Sequence, residues 1–311
     1  MSKYQEIDLS NLHKISVRNR PSKVHVSDLV NPAENGKISF PPLLAAADLQ
    51  ELVEHCAHAC QAGKPIFVAL GGHVIKCGLA PYLIEMLKCG WIKGISSNGS
   101  VVIHDFELAM FGKTSEDVAT ALEDGSFGMA AETCDTINNT IKNAFIQKMG
   151  YGEAIGKYLN DVNAPHKNIS LLAEAYRLNV PFTVHVALGT DINHQHETAV
   201  GAAIGDCSLR DFRILCQNLI GLNEGGVFLN FGSAVVLPEV FLKAITVVRN
   251  LGFPLKNFYT AVFDMNMHYR PQTNIVRRPT LSGGKGYYFV GHHEIMIPLF
   301  FHLLQERIGN A

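Results

Sequence analysis

The sequence has little net charge, because 26 Lys and Arg residues nearly balance 28 Asp and Glu residues and leave a formal charge of −2. A protein that binds nucleic acid generally needs a concentrated basic face, so this balance argues against a nucleic-acid partner. Long apolar runs are also missing. The stretch IMIPLFFHLL (295–304) contains a proline and is shorter than the roughly 18 residues of a membrane-spanning helix, so no membrane partner is expected.

Cysteine spacings typical of disulfides are missing too, and the pair Cys56/Cys60 beside His55 and His58 fits one face of a helix better than a zinc site. The seven cysteines are scattered, and no two of them form a C-x-x-C pair. An odd number of scattered cysteines favours free thiols in a reducing compartment. The polar, basic N-terminus also lacks the apolar central region of a signal peptide. These features together predict a cytoplasmic protein.

A repeated unit is present, in which an apolar run leads into a Gly/Ser/Asn turn and then into a helical pattern. This alternation predicts an α/β fold with a doubly wound, mainly parallel sheet, helices on both faces and a helical insert. Thr114 is the predicted N-cap of a helix in that insert. We assign residues 41–311 to one domain, after an N-terminal extension of residues 1–40. The five predicted strands are 65–70, 91–97, 180–188, 225–231 and 258–264.

Small and polar residues follow these runs, where each strand is predicted to end. Ligands of open parallel sheets bind outside the carboxyl ends of the strands, where glycines let backbone amides approach and helix N-termini favour phosphates. We therefore expect a cleft for a phosphorylated or dinucleotide-like molecule, although the first run is not followed by G-x-G-x-x-G. The turn residues are Gly71, Gly72 and His73; Ser96, Ser97, Asn98 and Gly99; Gly189, Thr190 and Asp191; Asn230, Gly232 and Ser233; Asp264, Asn266 and His268.

The segment ISSNGSVVIHDFELA (95–109) places His104, Asp105 and Glu107 among apolar neighbours. These three residues form either a buried structural network or part of a binding site. Ionisable groups are seldom fully buried without partners, which favours side chains that line a site. Asp105 and Glu107 alternate in position, so one of them is expected to cap or orient while the other faces the ligand.

Other histidines and basic residues allow two interpretations each. The segments DINHQHE (191–197) and GHHE (291–294) could hold a divalent metal or line a polar cleft, and neither completes a metal-ligand signature. Lys285, which we place in a glycine-rich loop, could bind phosphate, act as a nucleophile or base, or be solvated. Arg270, with its neighbours Arg277 and Arg278, could clamp an anion or belong to a surface loop.

Three segments, in this order along the chain, resemble the deoxyhypusine synthase family and its bacterial deoxyhypusine-synthase-like members. They are 71–113, 170–191 (SLLAEAYRLNVPFTVHVALGTD) and 225–236 (GGVFLNFGSAVV), and the similarity extends over about residues 40–300. The resemblance implies a Rossmann-like fold, a homotetramer with its sites at dimer interfaces, and NAD bound at the edge of the sheet. It also implies aminobutyl transfer from spermidine through an imine on a lysine.

Transferred to this chain, the resemblance makes Lys285 the counterpart of the imine-forming lysine, and we expect His104 and Glu107 to move protons. Asp105, Asp264, His268 and Arg270 are the residues expected to bind the small-molecule substrate. The residues expected to contact NAD are Gly71, Gly72, His73, Ser96, Ser97, Asn98, Gly99, Asp191, Gly232 and Ser233.

The chain departs from the family in three places, one of which is the family's tryptophan near the catalytic lysine, since the single tryptophan of this sequence is Trp91. The histidine that follows the family's glycine-rich strand end has no match in NFGSAVVLPEVF (230–241), and arginines replace the acidic stretch that grips spermidine. Like charges would repel a polyamine, so the expected substrate is an amine other than spermidine. Two alternatives remain open at this point. One is a metal-dependent hydrolase that uses the His/Asp clusters to activate water, and the other is a non-catalytic binder of a nucleotide or anionic metabolite.

Overall fold

The computed structural model describes residues 40–309. From Leu49 onward these residues form one compact unit. The proposed extension, residues 1–40, lies outside the described residues apart from Phe40, so the division of the chain into extension and domain stays a prediction.

A six-stranded sheet forms the centre of the unit, and all neighbouring strands run parallel. The strand order is β3-β2-β1-β4-β5-β6, so the direction of winding reverses between β1 and β4. This confirms the doubly wound α/β fold, and it places a crevice where the strand order reverses. All six strands end on the same side of the sheet, and we call this side the carboxyl edge. The strands are β1 (Ile66–Leu70), β2 (Ile92–Ser97), β3 (Phe182–Val184), β4 (Val227–Phe231), β5 (Phe258–Asp264) and β6 (Gly284–Val290).

Helices cover both faces of the sheet, and the predicted insert between β2 and β3 contains α4 to α8. A π-helical stretch, Gln272–Arg277, follows α11. The helices are α1 (Leu44–Gln61), α2 (Gly72–Lys76), α3 (Ala80–Lys88), α4 (Gly99–Phe111), α5 (Val118–Asp124), α6 (Ala131–Gln147), α7 (Tyr151–Asp161), α8 (Leu171–Arg177), α9 (Gly201–Leu219), α10 (Val236–Asn250), α11 (Tyr269–Pro271) and α12 (His293–Gly309).

The apolar runs become strands because both faces of the sheet are covered. Every residue of β1 and β4 is buried, as expected for central strands of a parallel sheet. Side chains of one face, such as Val68 and Leu229, join the core that also contains α3, α4 and α12. Side chains of the other face, such as Phe228, pack against α10, where Phe241 stacks on Phe228.

The ends of α4 and α5 follow local rules, with one difference from expectation. Gly112 and Gly125 end these helices in the left-handed conformation that glycine adopts easily. The N-cap of α5 is Asp117, whose carboxylate accepts the backbone N–H groups of the first turn. The prediction that Thr114 caps this helix is wrong, because its hydroxyl bonds to other side chains.

Two strands differ from the sequence-based assignment. The run 180–188 yields only the three residues of β3, and residues 185–187 after it form neither strand nor helix. The segment that we interpreted as a glycine-rich loop is β6, which pairs with β5 along its full length. Glycine is needed there because a β-carbon on Gly286 would lie closer than 3.0 Å to the carbonyl oxygen of Val276.

Within residues 40–309, no helix combines the length and the apolar character needed to cross a bilayer. The seven cysteines all lie in this part of the chain, and all are free thiols, as their spacing predicts.

Candidate functional site

The backbones of the β1–α2 turn and the β4–α10 turn meet where the strand order reverses. The backbone N–H of Gly71 donates to the carbonyl oxygen of Phe231 at 2.9 Å. A β-carbon on Gly71 would lie closer than 3.0 Å to the carbonyl oxygen of Gly232, a distance that real side chains do not adopt. Glycine at position 71 is therefore required by this close approach, which leaves a backbone-lined crevice at the carboxyl edge.

The β2–α4 turn lies on the other side of the β1–α2 turn. A β-carbon on Gly72 would lie closer than 3.0 Å to the Ser100 hydroxyl. That hydroxyl donates to the Asn98 side chain at 2.9 Å, so Asn98 does not cap the backbone of α4. The first backbone N–H groups of this 13-residue helix thus have no side-chain cap and can donate hydrogen bonds to an anion at the carboxyl edge.

Asp191 reaches the same turn from the loop after β3. A β-carbon on Gly99 would lie closer than 3.0 Å to Asp191 Oδ2, so only glycine lets the carboxylate approach the start of α4. Asp191 is 8% exposed, and burial raises the pKa of its carboxyl to about 6. The backbone N–H of Asp191 donates to His194 Nδ1 at 3.3 Å, which holds the two residues together.

Some expected contact residues point into the protein. The hydroxyl of Ser96 is paired with that of Thr183 at 2.8 Å, between β2 and β3. The hydroxyl of Ser233 accepts the backbone N–H of Leu237 at 3.3 Å, in the first turn of α10. Ser96 and Ser233 therefore shape the carboxyl edge through packing and helix geometry, and their side chains are already engaged.

His104 and Glu107, both on α4, are joined by Thr114. The Thr114 hydroxyl donates to Glu107 Oε2 at 2.5 Å and lies 2.8 Å from His104 Nδ1. Since the only hydroxyl proton goes to Glu107, His104 Nδ1 carries the hydrogen of the second bond and Nε2 is left as an acceptor. Burial lowers the pKa of His104 to about 4, with a smaller contribution from Lys76. A neutral imidazole thus stands beside Gly72, whose added β-carbon would lie 3.4 Å from His104 Cδ2.

Glu107 and Thr114 also border a cavity of about 510 Å³. Thr133 donates a second hydrogen bond to Glu107, at 3.1 Å to Oε1. The cavity is lined by Glu107, Phe111, Lys113, Thr114, Ser115, Glu116, Ala130, Glu132 and Thr133. The chain of hydrogen bonds from His104 to Glu107 therefore connects the β1–α2 turn with an open, partly acidic space.

Asp105 does not line this site. Its side chain is 0% exposed and accepts three hydrogen bonds, from the Ser170 hydroxyl at 2.5 Å and from the backbone N–H groups of Leu171 and Leu172 at 2.8 and 3.1 Å. Burial raises the pKa of Asp105 to about 6 against the lowering effect of these donors. Of the two carboxylates in the segment, Asp105 closes the N-terminus of α8, and Glu107 is the one beside open space.

At the end of β5, Asp264 and His268 lie together, but Arg270 does not join them. Asp264 is 6% exposed as a residue, and His268 Nε2 lies 3.7 Å from its Oδ1. Arg270 Nε instead lies 3.6 Å from Glu239 Oε1, on α10. The anion clamp considered from the sequence is thus not formed by Arg270, because a carboxylate already faces its guanidinium.

Lys285 lies at the opposite edge of the sheet from these residues. It is the second residue of β6 and is in register with Tyr259, the second residue of β5. At about 3.3 Å per residue, roughly 16 Å of strand separates it from Val290 at the carboxyl edge. Its ammonium group pairs with Glu51 and lies 4.8 Å from the centroid of the Tyr287 ring. Its assignment to a loop is wrong, and the chain does not bring Lys285 to His104 or Glu107.

The histidine clusters are not arranged around a common centre. His194 bonds through Nδ1 to backbone N–H groups, whereas His196 lies 3.6 Å from Asp135 and 2.9 Å from the carbonyl oxygen of Gly128. Between residues 40 and 309 no group of three or more His, Cys, Asp or Glu side chains is placed to hold a metal ion. The metal-dependent hydrolase hypothesis therefore lacks a ligand set in this part of the chain.

Sequence reasoning missed two residues of this region. Thr114 was interpreted as a helix cap, and nothing local indicated that its hydroxyl joins His104 to Glu107. The segment GHHE predicts a metal ligand or a cleft-lining side chain at His293 without indicating which turn it faces, and its ring lies against Gly232 at the carboxyl edge. A signal existed for His293, since it follows an apolar run and begins the last helix of the chain.

No family model and no curated protein matches the sequence. Solved structures match at low identity. Unliganded AgrE is 16% identical with a TM-score of 0.53, covering 85% of this chain and 32% of that chain. The complex of AgrE with ornithine and NAD+ is 15% identical with a TM-score of 0.52, covering 85% and 33%. A conserved LOR/SDH-type protein from Methanococcus maripaludis S2 is 13% identical with a TM-score of 0.50, covering 86% and 70%.

At these identities the likeness concerns the fold alone, and this chain spans about a third of the length of AgrE. The chain shares its Rossmann-like fold with AgrE and the LOR/SDH-type protein. A deoxyhypusine synthase candidate from Entamoeba histolytica also matches, at 10% identity over 83% of this chain and 87% of that one. Its TM-score of 0.49 is too low to carry an argument, so membership of the deoxyhypusine synthase family stays a prediction.

Proposed function

We propose that the chain is an NAD-dependent enzyme that binds the dinucleotide across the carboxyl edge and removes a hydride from a small amine. The observation that carries this proposal is the convergence of glycine turns and a buried carboxylate at the switch of strand order, where Gly71 meets Gly232 and Gly99 meets Asp191. AgrE, which has the same fold, was crystallised with NAD+ and ornithine. NAD would supply the hydride acceptor.

The residues at the carboxyl edge where the strand order reverses suit a dinucleotide. Gly71 and Gly72 allow backbone to approach a pyrophosphate, and the first amides of α4 lack a side-chain cap. Asp191 supplies a carboxylate that can accept a hydrogen bond from a ribose hydroxyl. Because burial raises the pKa of Asp191 to about 6, this acceptor is fully ionised only above that pH. We therefore expect NAD affinity to weaken as the pH falls below about 6.

His104 is assigned to the orientation of the ligand. Its Nδ1–H is held by Thr114 and Glu107, so Nε2 accepts a hydrogen bond from a ligand placed over Gly72. An imidazole with a pKa of about 4 is uncharged at neutral pH and carries its single N–H on Nδ1, which favours a fixed acceptor at Nε2 over a strong base. Glu107 acts through Thr114 to keep this tautomer.

The substrate half of the crevice, at the ends of β4 to β6, suits a cationic amine. The buried carboxylate of Asp264 can pair with an ammonium group, and His268 is beside it. Arg270 is paired with Glu239, and Arg278 donates to the side chain of Asn274 at 2.9 Å. The carboxylate of Glu239 offsets part of the charge of Arg270 and weakens its repulsion of a cation. The neutral amide of Asn274, in contrast, leaves the charge of Arg278 unchanged.

An imine on Lys285 would need a site shared between subunits, because the lysine is roughly 16 Å of strand from its own carboxyl edge. The homotetramer implied by the family resemblance would provide such a site. Within one chain, the proposed hydride transfer does not require Lys285.

The test is a calorimetric titration of purified protein with NAD, beside two glycine variants. The wild type is expected to saturate near one NAD per chain. Gly99→Ala should bind at least about tenfold more weakly, because its methyl group displaces the Asp191 carboxylate. Gly205→Ala is the matched control, since a β-carbon there meets nothing within 4 Å. A wild type that does not bind NAD would contradict the proposal.

A non-catalytic nucleotide binder would pass the same titration. The two functions are separated by incubating the NAD complex with small amines and following NADH absorbance. A rise in absorbance with any amine supports the enzyme, and a bound NAD that stays oxidised with every amine supports the binder.

A further inference from the structure

His293 occupies the centre of the carboxyl edge. It begins α12 directly after β6, and its side chain is almost fully buried, with 1% of the residue exposed. A β-carbon on Gly232 would lie 2.6 Å from His293 Nε2, so the ring covers the β4–α10 turn. Its centroid is 6.0 Å from that of His73, in the first turn of α2. The imidazole therefore lies across the crevice at the switch of strand order.

One nitrogen of this ring has nothing to bond to in the described structure. His293 Nδ1 is buried and has no hydrogen-bond partner among residues 40–309. Buried polar atoms are nearly always hydrogen-bonded, and an exception at the edge of a crevice suggests that a ligand supplies the partner. The side chain of Asn230, two residues before Gly232, likewise has a buried oxygen without a partner in that part of the chain.

The charges around His293 favour a ring that gains and releases a proton. Burial lowers the pKa of His293 below its usual value, and His73 and His292 act in the same direction. Asp264 and Glu294 oppose this shift, Asp264 more strongly. A neutral ring near a buried carboxylate can take up a proton, because the carboxylate stabilises the imidazolium that results.

We propose that His293 lies at the reacting end of the NAD site and is the general base of the reaction. This inference rests on the proposed function. When the C–H bond of the amine-bearing carbon breaks, both of its electrons leave as a hydride, and bound NAD would supply the acceptor for it. The nitrogen of the amine loses an N–H proton to His293, and a C=N bond forms in the substrate. Asp264 balances the positive charge on the imidazolium.

The inference predicts that His293 responds to the nicotinamide half of NAD. The full-length protein, labelled with ¹³C at histidine Cε1, is titrated with NAD and separately with ADP-ribose, which lacks the nicotinamide. The His293 resonance is assigned from the spectrum of His293→Gln or, if that variant does not fold, by through-bond correlation in the wild type. We expect NAD and ADP-ribose to move this resonance to clearly different positions, because only NAD brings the cationic nicotinamide beside the ring, with His166 as a remote reference.

A pH titration of the two redox states completes the test. The cationic nicotinamide of NAD+ should lower the pKa of His293 relative to the NADH complex, by at least about 0.5. If both nucleotides bind and His293 shows neither the nicotinamide-specific shift nor a different pKa with NAD+ and NADH, the inference is overturned. If neither nucleotide binds, the proposed function itself fails, and the role of His293 fails with it.

Discussion

Asp105 accepts a hydrogen bond from the hydroxyl of Ser170 at 2.5 Å, although the two residues are 65 positions apart in the sequence. This bond joins α4 to the start of α8. The same carboxylate takes the first two backbone N–H groups of α8. Asp105→Asn keeps the size of the side chain but replaces one acceptor oxygen by a donor that faces other donors. We expect it to lower the free energy of unfolding by about 1–3 kcal/mol, measured by urea denaturation.

The Asp105→Asn variant should still bind NAD with unchanged affinity once folded. Weaker NAD binding with unchanged stability would show that Asp105 contributes to ligand binding, and it would contradict the role of Asp105 as a helix cap.

The raised pKa of the buried Asp211 carboxyl determines one part of how the stability of the protein depends on pH. Its carboxyl is fully buried on α9, where Oδ2 accepts the backbone N–H groups of Gly152 and Val184 at 3.0 and 2.7 Å. Burial raises the pKa of Asp211 to about 8, from an ordinary value of 3.8. Between these values the folded state binds more protons than the unfolded state, so the contribution of Asp211 to stability falls as the pH rises from about 4 to about 8.

Asp211→Asn removes this titration. The difference in the free energy of unfolding between wild type and variant should therefore move in the variant's favour with rising pH, by at most about 1.4 kcal/mol per pH unit. Urea denaturation of both proteins at several pH values between 4 and 8 measures it. A constant difference over that range would show that Asp211 does not titrate there.

The close approach of the β1–α2 and β4–α10 turns predicts that position 71 accepts only glycine. A methyl group at Gly71 would meet backbone atoms of Gly232, which cannot rotate away as a side chain would. Gly71→Ala should cost roughly 1–3 kcal/mol or prevent folding. Gly205→Ala, within α9 and free of neighbours, should be neutral or add about 0.5–1 kcal/mol. Equal stabilities of the two variants would contradict the contact.

The bridge from His104 to Glu107 predicts a difference between two substitutions of Thr114. Thr114→Val has nearly the same shape but lacks the hydroxyl, so His104 loses the acceptor that fixes its tautomer. Thr114→Ser keeps the hydroxyl. We expect the valine variant to bind NAD about tenfold more weakly, in line with the loss of one hydrogen bond, and the serine variant to bind like the wild type. Equal weakening in both would point to packing instead.

The fold followed from local sequence patterns, because the apolar runs of this chain that alternate with helical segments form the strands of the parallel sheet. β5 was predicted to the residue. β6 was missed because its glycines resemble a loop, whereas they are required by the close approach of Val276 and Phe258. That reason depends on residues distant in sequence.

The glycine turns at the carboxyl edge were recognisable for the same local reason. The roles of Asp105, Thr114 and Lys285 were not, because each depends on a partner supplied by another element. Ser170, Glu107 and Glu51 are these partners, and none is indicated by the spacing of residues along the chain.

Substitution of Lys285 distinguishes a catalytic site formed within one chain from a site shared between two subunits. The ion pair with Glu51 is partly exposed, so Lys285→Ala should change the free energy of unfolding by no more than about 1 kcal/mol. NAD affinity should not change, because the lysine lies at the opposite edge of the sheet. Glu51→Gln is the control, since it breaks the pair but keeps the lysine.

If Lys285→Ala abolishes turnover of an amine while Glu51→Gln does not, the lysine acts in the site of a neighbouring subunit. Mixing Lys285→Ala with a variant impaired at the carboxyl edge, such as Gly99→Ala, should then restore part of the activity, because hybrid oligomers contain some sites with both parts intact. If Lys285→Ala keeps full turnover, the reaction proceeds without a lysine imine, and hydride transfer at the carboxyl edge is sufficient.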